Sequence, residues 1–318
     1  MFSSFIPNPF PHAHSPSLCF YKGSVYGTFY GYNEEETQEA KILVSKFNQS
    51  LGKWTVPEVP FPHLSKSQGN PLLFTDGEKL YLLFVILEGA YWNSARVYCS
   101  CFNDFKSSWE EPLVTLFKKG MMIRHRPKMT MEGPQSQLLL PTYNELDWQS
   151  FLHTSKPPFT DWQQFSELSK GPIQGDLYIK NSNEMSIYLR TTEKDRAIHR
   201  MHSSDGGKTW PFHFKTTMPC PLSGIAFENL YEGIQVMCYN DTTEHQRTPL
   251  TIAFSDDGFK SLKAKVNIEE GPGEFSYPSL LVDQANILHL LYTHQRIRIG
   301  HRSFNQSEVK SLFEQQNG

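Results

Sequence analysis

Residues Ser203-Ser204-Asp205-Gly206-Gly207-Lys208-Thr209-Trp210 read SSDGGKTW, between the apolar run RAIHRM and the short run PFHFKTTM. The side chain of Asp205 can accept backbone N–H bonds within a turn. Gly206 and Gly207 permit positive φ. Trp210 can then anchor the following strand by burying its ring between sheets. These are folding tasks, and Asp205 is not expected to do chemistry. What matters is whether the turn occurs once or marks a period.

It marks a period. Trp54 ends SKFNQSLGKW, Trp109 ends SCFNDFKSSW, Trp162 ends HTSKPPFTDW, and Leu262 ends the degraded copy SDDGFKSL. Together with Trp210 these positions lie 48 to 55 residues apart. An apolar run precedes each: AKILVS, ARVYCS, SFLHTS, AIHRMHS and PLTIAFS. A sixth run, RIRIGHRSFN, stands where the period requires it. Short strands opening on Pro16, Pro71, Pro127, Gly175, Gly224 and Pro278 keep the same register. So do the strands after them, from VYGTFYG to LHLLYTHQ.

Units of about 50 residues with about four short strands are propeller blades. The expected fold is all-β, a six-bladed β-propeller. One domain is expected over residues 1–318, with repeats starting near 14, 69, 125, 173, 222 and 276. The last blade lacks an outer strand, and the N-terminal FSSFIPN is expected to supply it. The tail EVKSLFEQQNG is expected to form a short helix. A sandwich would not give three coincident registers. A doubly wound α/β fold needs amphipathic helices that are absent here.

Composition agrees and excludes several functions. Phe, Tyr and Trp make up 14% of the 318 residues, with 20 Gly and 21 Pro, as strands joined by tight turns require. The net charge of −3 argues against a nucleic-acid binder. No apolar run is long enough to predict a membrane span. The N-terminus lacks the basic and apolar regions of a signal peptide, so the expected location is cytoplasmic. Cys19, Cys99, Cys101, Cys220 and Cys238 follow no metal-ligand spacing and are expected to be reduced. No cofactor is signalled. His12 and His14 form a conceivable metal pair without further ligands, so no metal is expected.

The pattern S-x-D-x-G-x-T-W is the Asp-box, and Ser203 to Trp210 match it fully. Nearly the whole chain resembles sialidase-like BNR-repeat proteins of the bacterial neuraminidase type. The resemblance is carried by AHSPSL, GNPLL, IRHRPKM with LLLPTYNE, LRTTEKDRAIHRMHSSDGGKTW, YNDTTEHQRTPLTIAFSDDG and EEGPGEFSYPSLL. It implies a propeller of sialidase type. It also implies an arginine triad for a carboxylate, a Tyr nucleophile with a Glu partner, and an Asp acid near the axis. Arg190 resembles the second triad arginine, Arg247 the third, and Tyr277 the nucleophile. Two positions depart. His14 stands where the family motif has arginine, and Gln174 stands where it has the catalytic Glu. A Gln cannot take a proton from a phenol, whose ordinary pKa is near 10.

The residues read from the bottom up give a longer list. Propeller ligands bind at the mouth of the central channel, where the inner strands begin. His14, Asn70, Arg124, Arg126, Gln174 and Tyr277 lead those strands. Tyr143, Glu145, Arg190, Asp241 and the triplet His294-Gln295-Arg296 end the second strands. Arg190 and Arg247 suit bidentate carboxylate binding, and Arg124, Arg126, Asn70 and Tyr143 are expected to add substrate contacts. Strand alternation is expected to send Arg124 and Arg126 to one face. Tyr277 is the expected nucleophile or proton donor. His14, Glu145 and Asp241 are candidate acids or bases. Asn33-Glu34-Glu35-Glu36 forms an acidic loop where the resemblance puts the acid, and Glu274 would polarise Tyr277 if a turn brought it close.

The expected function is a sialidase-like glycoside hydrolase acting on a carboxylate-bearing sugar, with a carbohydrate partner and neither nucleic acid nor membrane. A uronide-type polysaccharide lyase would explain the missing Glu. A non-catalytic glycan-binding propeller would explain both departures.

Overall fold

The structure, a computed structural model, describes residues 1–130, 137–191 and 195–314. It is a six-bladed β-propeller of six antiparallel sheets. Blade I runs outward through His12–Tyr21, Ser24–Tyr32, Lys41–Asn48 and Lys53–Trp54. Blade II has Gln68–Thr75, Leu80–Leu87 and Ala95–Asn103, with two short outer pieces, Ser108–Trp109 and Leu113–Val114. Blade IV comprises Ile173–Ile179, Met185–Arg190, Ala197–Ser203 and Phe212–Pro219. Blade V comprises Ala226–Asn229, Gln235–Asn240, Leu250–Ser255 and Ala264–Glu269. Blade III differs from the expectation. Its inner strand is broken into Met121–Ile123 and Lys128–Met129, before Leu138–Asn144, Gln149–Ser155 and Gln163–Lys170.

Blade VI consists of Phe275–Val282, Leu288–His294 and Arg298–Phe304, and Phe2–Ile6 completes it from the other end of the chain. A buried relay backs this closure. Trp54 Nε1–H donates to His301 Nδ1 at 3.1 Å, and an indole N–H can only donate. A neutral His301 therefore carries its proton on Nε2 and donates to His289 Nδ1, also at 3.1 Å. His289 in turn points Nε2–H at Asp283 Oδ2, 3.3 Å away. Burial, with His289 alongside, pushes the His301 pKa down to about 3.

The cores lie between blades. Trp210 packs with Leu139, Leu152 and Leu168 of blade III and with Leu177 and Ile187 of blade IV. Truncating such a ring to Ala costs about 3–5 kcal/mol. The Asp-box holds that ring in place. Asp205 Oδ1 accepts the N–H groups of Lys208 and Thr209 at 3.1 and 3.0 Å, and Ser203 Oγ accepts that of Gly207 at 2.9 Å. The degraded copy makes the same set. Asp257 Oδ1 accepts from Lys260 and Ser261, and Ser255 Oγ accepts from Phe259. Phe259 adopts φ of 55° where the intact copy has Gly207 at 84°.

The tail forms a helix, Gln306–Glu314, with Val309 buried against blade V and blade VI side chains. Its last residues, 315–318, lie outside the described residues. The five cysteines are free. Among the described residues no helix is long and apolar enough to cross a membrane.

Candidate active site

The inner strands carry a shared irregularity that builds the mouth of the channel. In blades I, II, IV and VI the pairing to the second strand skips two residues: Ser15-Pro16, Asn70-Pro71, Gln174-Gly175 and Tyr277-Pro278. The first of each pair is left-handed, with φ of 55°, 41°, 53° and 51°. Each such residue costs about 1–2 kcal/mol relative to ordinary strand geometry. The second is Pro or Gly for a physical reason. Proline has no N–H to lose from the ladder. At Gly175 a Cβ would lie 2.5 Å from Ile187. The kink takes these side chains out of the pleat. In blade V, Leu222 is left-handed too, with φ of 62°.

Tyr277 stands at the centre of the resulting cluster. Its ring lies 4.3 Å from the His14 ring, 5.1 Å from the Arg124 guanidinium and 5.4 Å from that of Arg247. Arg190 and Arg247 meet at one carbonyl, donating to Leu222 O at 2.7 and 3.3 Å. Burial pushes the Tyr277 phenol up. Arg190 and Arg247, a hydrogen bond from Gln174, and Arg124 outweigh it and hold its pKa below the ordinary phenol value. The three arginines thus favour the phenolate, the task the resemblance gives to a neighbouring Glu.

Gln174 is buried and donates through Nε2 to the Tyr143 hydroxyl at 2.9 Å, while its Oε1 has no hydrogen-bond partner among the described residues. Glu145 follows on the same strand end as Tyr143. Burial raises its carboxyl, against the opposing pull of Arg190 and a hydrogen bond from Tyr143. A carboxyl so raised is suited to giving a proton. His14 is buried and bonded through Nδ1 to Thr293 Oγ1 at 2.9 Å. Burial, and then Arg296, Arg247 and Arg124, hold its pKa well below the usual value. It is a neutral imidazole at ordinary pH and cannot serve as an imidazolium acid.

Other expected members are placed differently. Arg124 is buried and donates to the carbonyls of Pro16, Tyr277 and Pro278 at 2.8–2.9 Å. It is a strut from blade III to blades I and VI that also charges the mouth. Asn70 ties blade II to blade III through Ile123 O at 3.1 Å. Two residues stand apart. Residues 124–127 are not strand, so alternation does not govern them. Arg126 reaches further along the channel to Leu280 O and Glu228. Asp241 is drawn outward to Lys265 on the outermost strand of blade V, 2.7 Å away. His12 stacks on Tyr32 at 5.0 Å. No group of three or more possible metal ligands occurs among the described residues.

Sequence reasoning named Arg296 only as a strand end and gave it no role. After His294 the chain turns through left-handed Gln295 and Arg296, with φ of 58° and 54°. Arg296 then donates to Glu274 Oε2 at 2.9 Å and to Glu36 Oε2 at 3.1 Å. Glu274 also holds Arg247 at 2.9 Å. Glu274 therefore clamps two arginines, Arg247 and Arg296, and not Tyr277. Glu36 is turned inward from the acidic loop and accepts from Tyr30 at 3.1 Å. The charge of the triplet His294-Gln295-Arg296 was the available signal; its direction lay in two consecutive left-handed residues.

Solved structures share this architecture. The Hadza microbial sialidase Hz136 is 17% identical, with a TM-score of 0.77 over 93% of this chain and 66% of its own, so this chain spans slightly under two thirds of it. The intramolecular trans-sialidase from Ruminococcus gnavus, solved with oseltamivir carboxylate, is 13% identical, with a TM-score of 0.76 over 94% and 95% of the two chains. A Dyadobacter fermentans protein of unknown function is 16% identical, with a TM-score of 0.75 over 95% and 97%. At these identities the likeness is one of fold. No curated protein matches the sequence. Residues 23–290 match the BNR repeat-like domain, and the chain belongs to that family.

Proposed function

We propose that this propeller is a sialidase-like glycosidase acting on a carboxylate-bearing sugar at the channel mouth. The observation that carries it is the gathering of Arg190, Arg247, Arg124 and Gln174 around one half-buried phenol, Tyr277. Arg190 and Arg247 bind the sugar carboxylate. The Tyr277 oxygen attacks the anomeric carbon as the bond to the leaving oxygen breaks, and Glu145 gives that oxygen a proton. Water then displaces the phenolate and returns a proton to Glu145. A nucleophile and a proton donor are the two roles that retaining glycoside hydrolysis requires.

A second reading has its own support. Gln174 offers no base, and the neutral His14 ring lies 4.3 Å from Tyr277. That pair suits elimination: His14 takes the C5 proton beside a uronate carboxylate, the C4–O bond to the leaving sugar breaks as its oxygen takes a proton from Tyr277, and a C4–C5 double bond forms. Turnover of fluorogenic sialosides and uronides by the wild type, Tyr277→Phe and Arg247→Ala tests both. Hydrolysis gives fluorophore and free sugar, whereas elimination gives an unsaturated uronate absorbing in the ultraviolet. A protein that binds acidic sugars and turns none over is a lectin, and the proposal then fails.

A further inference from the structure

A second concave surface lies on the opposite face of the ring. Strand Met185–Arg190 ends at the mouth, and its start, five steps of about 3.3 Å away, borders a groove of 580 Å³ between blades IV and V. That volume falls within the range of small-ligand clefts. Two cross-strand rows of blade IV run into it. One row is Tyr178, Ser186, His202 and Phe212; the other passes through Tyr188, Arg200 and Phe214. The inner end of the second row is covered, because Tyr188 stacks on Phe227 of blade V. The outer end is not. Phe212 and Phe214 are 49% and 51% exposed, with rings 6.3 Å apart and nearly parallel at 6°.

The charges around this platform are not equally free. Glu184 is held by Lys180, Asp256 by Lys263, and Asp257 by the N–H groups and hydroxyls of its own turn. Arg200 and Lys260 form no ion pair among the described residues. Arg200 is held in place by Ser186 Oγ at 3.0 Å and lies against Gly258.

We infer that this groove is an accessory site for an acidic oligosaccharide. Arg200 and Lys260 take a carboxylate, and Phe212 and Phe214 support the apolar face of a pyranose ring. The ligand class rests on the reading of the axial site. The groove would hold one segment of an anionic glycan while the mouth acts on another, raising the effective concentration of chain ends.

Met185 lines the groove, so its ε-methyl resonance reports occupancy. The probes are 3′-sialyllactose and trigalacturonate, with lactose as the neutral control, titrated into methyl-labelled protein. We expect saturable shifts of the Met185 methyl with at least one acidic probe. Binding should weaken about tenfold in Arg200→Ala and comparably in Phe214→Ala, and should be unchanged in Tyr277→Phe. No shift with either acidic probe, an equal shift with lactose, or unaltered binding in both groove variants overturns the inference. If the Met185 methyl titrates in a protein with no turnover, the axial reading fails while the groove stands.

Discussion

Acid should loosen the last blade through His301. The histidine is fully buried, and its pKa is held at about 3 against about 6.5 for an unfolded chain. Because the folded value is the lower, the unfolded chain takes up the proton first as pH falls. Stability is complete above pH 6.5 and drains away between 6.5 and 3. At pH 5 the loss from this one group is about 2 kcal/mol, the free energy of protonating it in the unfolded chain alone. The geometry gives the same sign. A proton added to Nδ1 would set N–H against the N–H of Trp54. The assay is urea unfolding at pH 7 and pH 5, comparing wild type with His301→Gln. The variant loses stability at pH 7 but should lose about 2 kcal/mol less than the wild type between the two pH values. Parallel losses would refute the reasoning, since His125 and His153, both held near 4, titrate in both proteins.

Three further outcomes are expected. Gln174→Glu puts a negative charge beside Tyr277, which opposes the phenolate; the limb of the kcat/KM–pH profile belonging to Tyr277 should move to higher pH. An unmoved limb would mean that residue 174 does not govern the phenol. Glu274→Gln releases the shared clamp on Arg247 and Arg296, and KM should rise about tenfold with a smaller change in kcat. Steady-state kinetics on the best substrate of the panel decides it. Ser203→Ala leaves the buried Gly207 N–H without its acceptor, so thermal unfolding should show a loss of about 1–3 kcal/mol while KM stays constant.

Much of the fold was legible because each blade needs the same few things in the same order. A turn must reverse the chain, a large ring must fill the gap to the next blade, and an inner strand must start where its N–H groups go unpaired. Trp54, Trp109, Trp162 and Trp210 record the ring, and Pro16, Pro71 and Pro278 record the unpaired start. The broken inner strand of blade III was not legible, because Arg124 and His125 leave the ladder to meet partners on other blades. In the candidate site, Arg190, Arg247 and Tyr277 were singled out by their match to the family motif, and the structure brings them together. Arg126 and Asp241 were grouped with them on alternation and strand-end position. Their directions are decided by Glu228 and Lys265, which sequence spacing does not bring together. Arg296 was passed over because a double left-handed turn aims it, and charge alone does not encode that turn.

The left-handed kinks have a consequence for how such a protein changes over time. Ser15, Asn70, Gln174 and Tyr277 occupy steps that the sheet does not count. No rung of the ladder depends on what those residues are, provided they tolerate the kink and leave the Pro or Gly behind them. A substitution there rewrites the chemistry of the mouth while the six blades keep their register. The ring can therefore exchange a carboxylate for an amide at position 174 and still fold. The register of the blades therefore sets no requirement on which side chain stands at these four positions beyond tolerance of the kink.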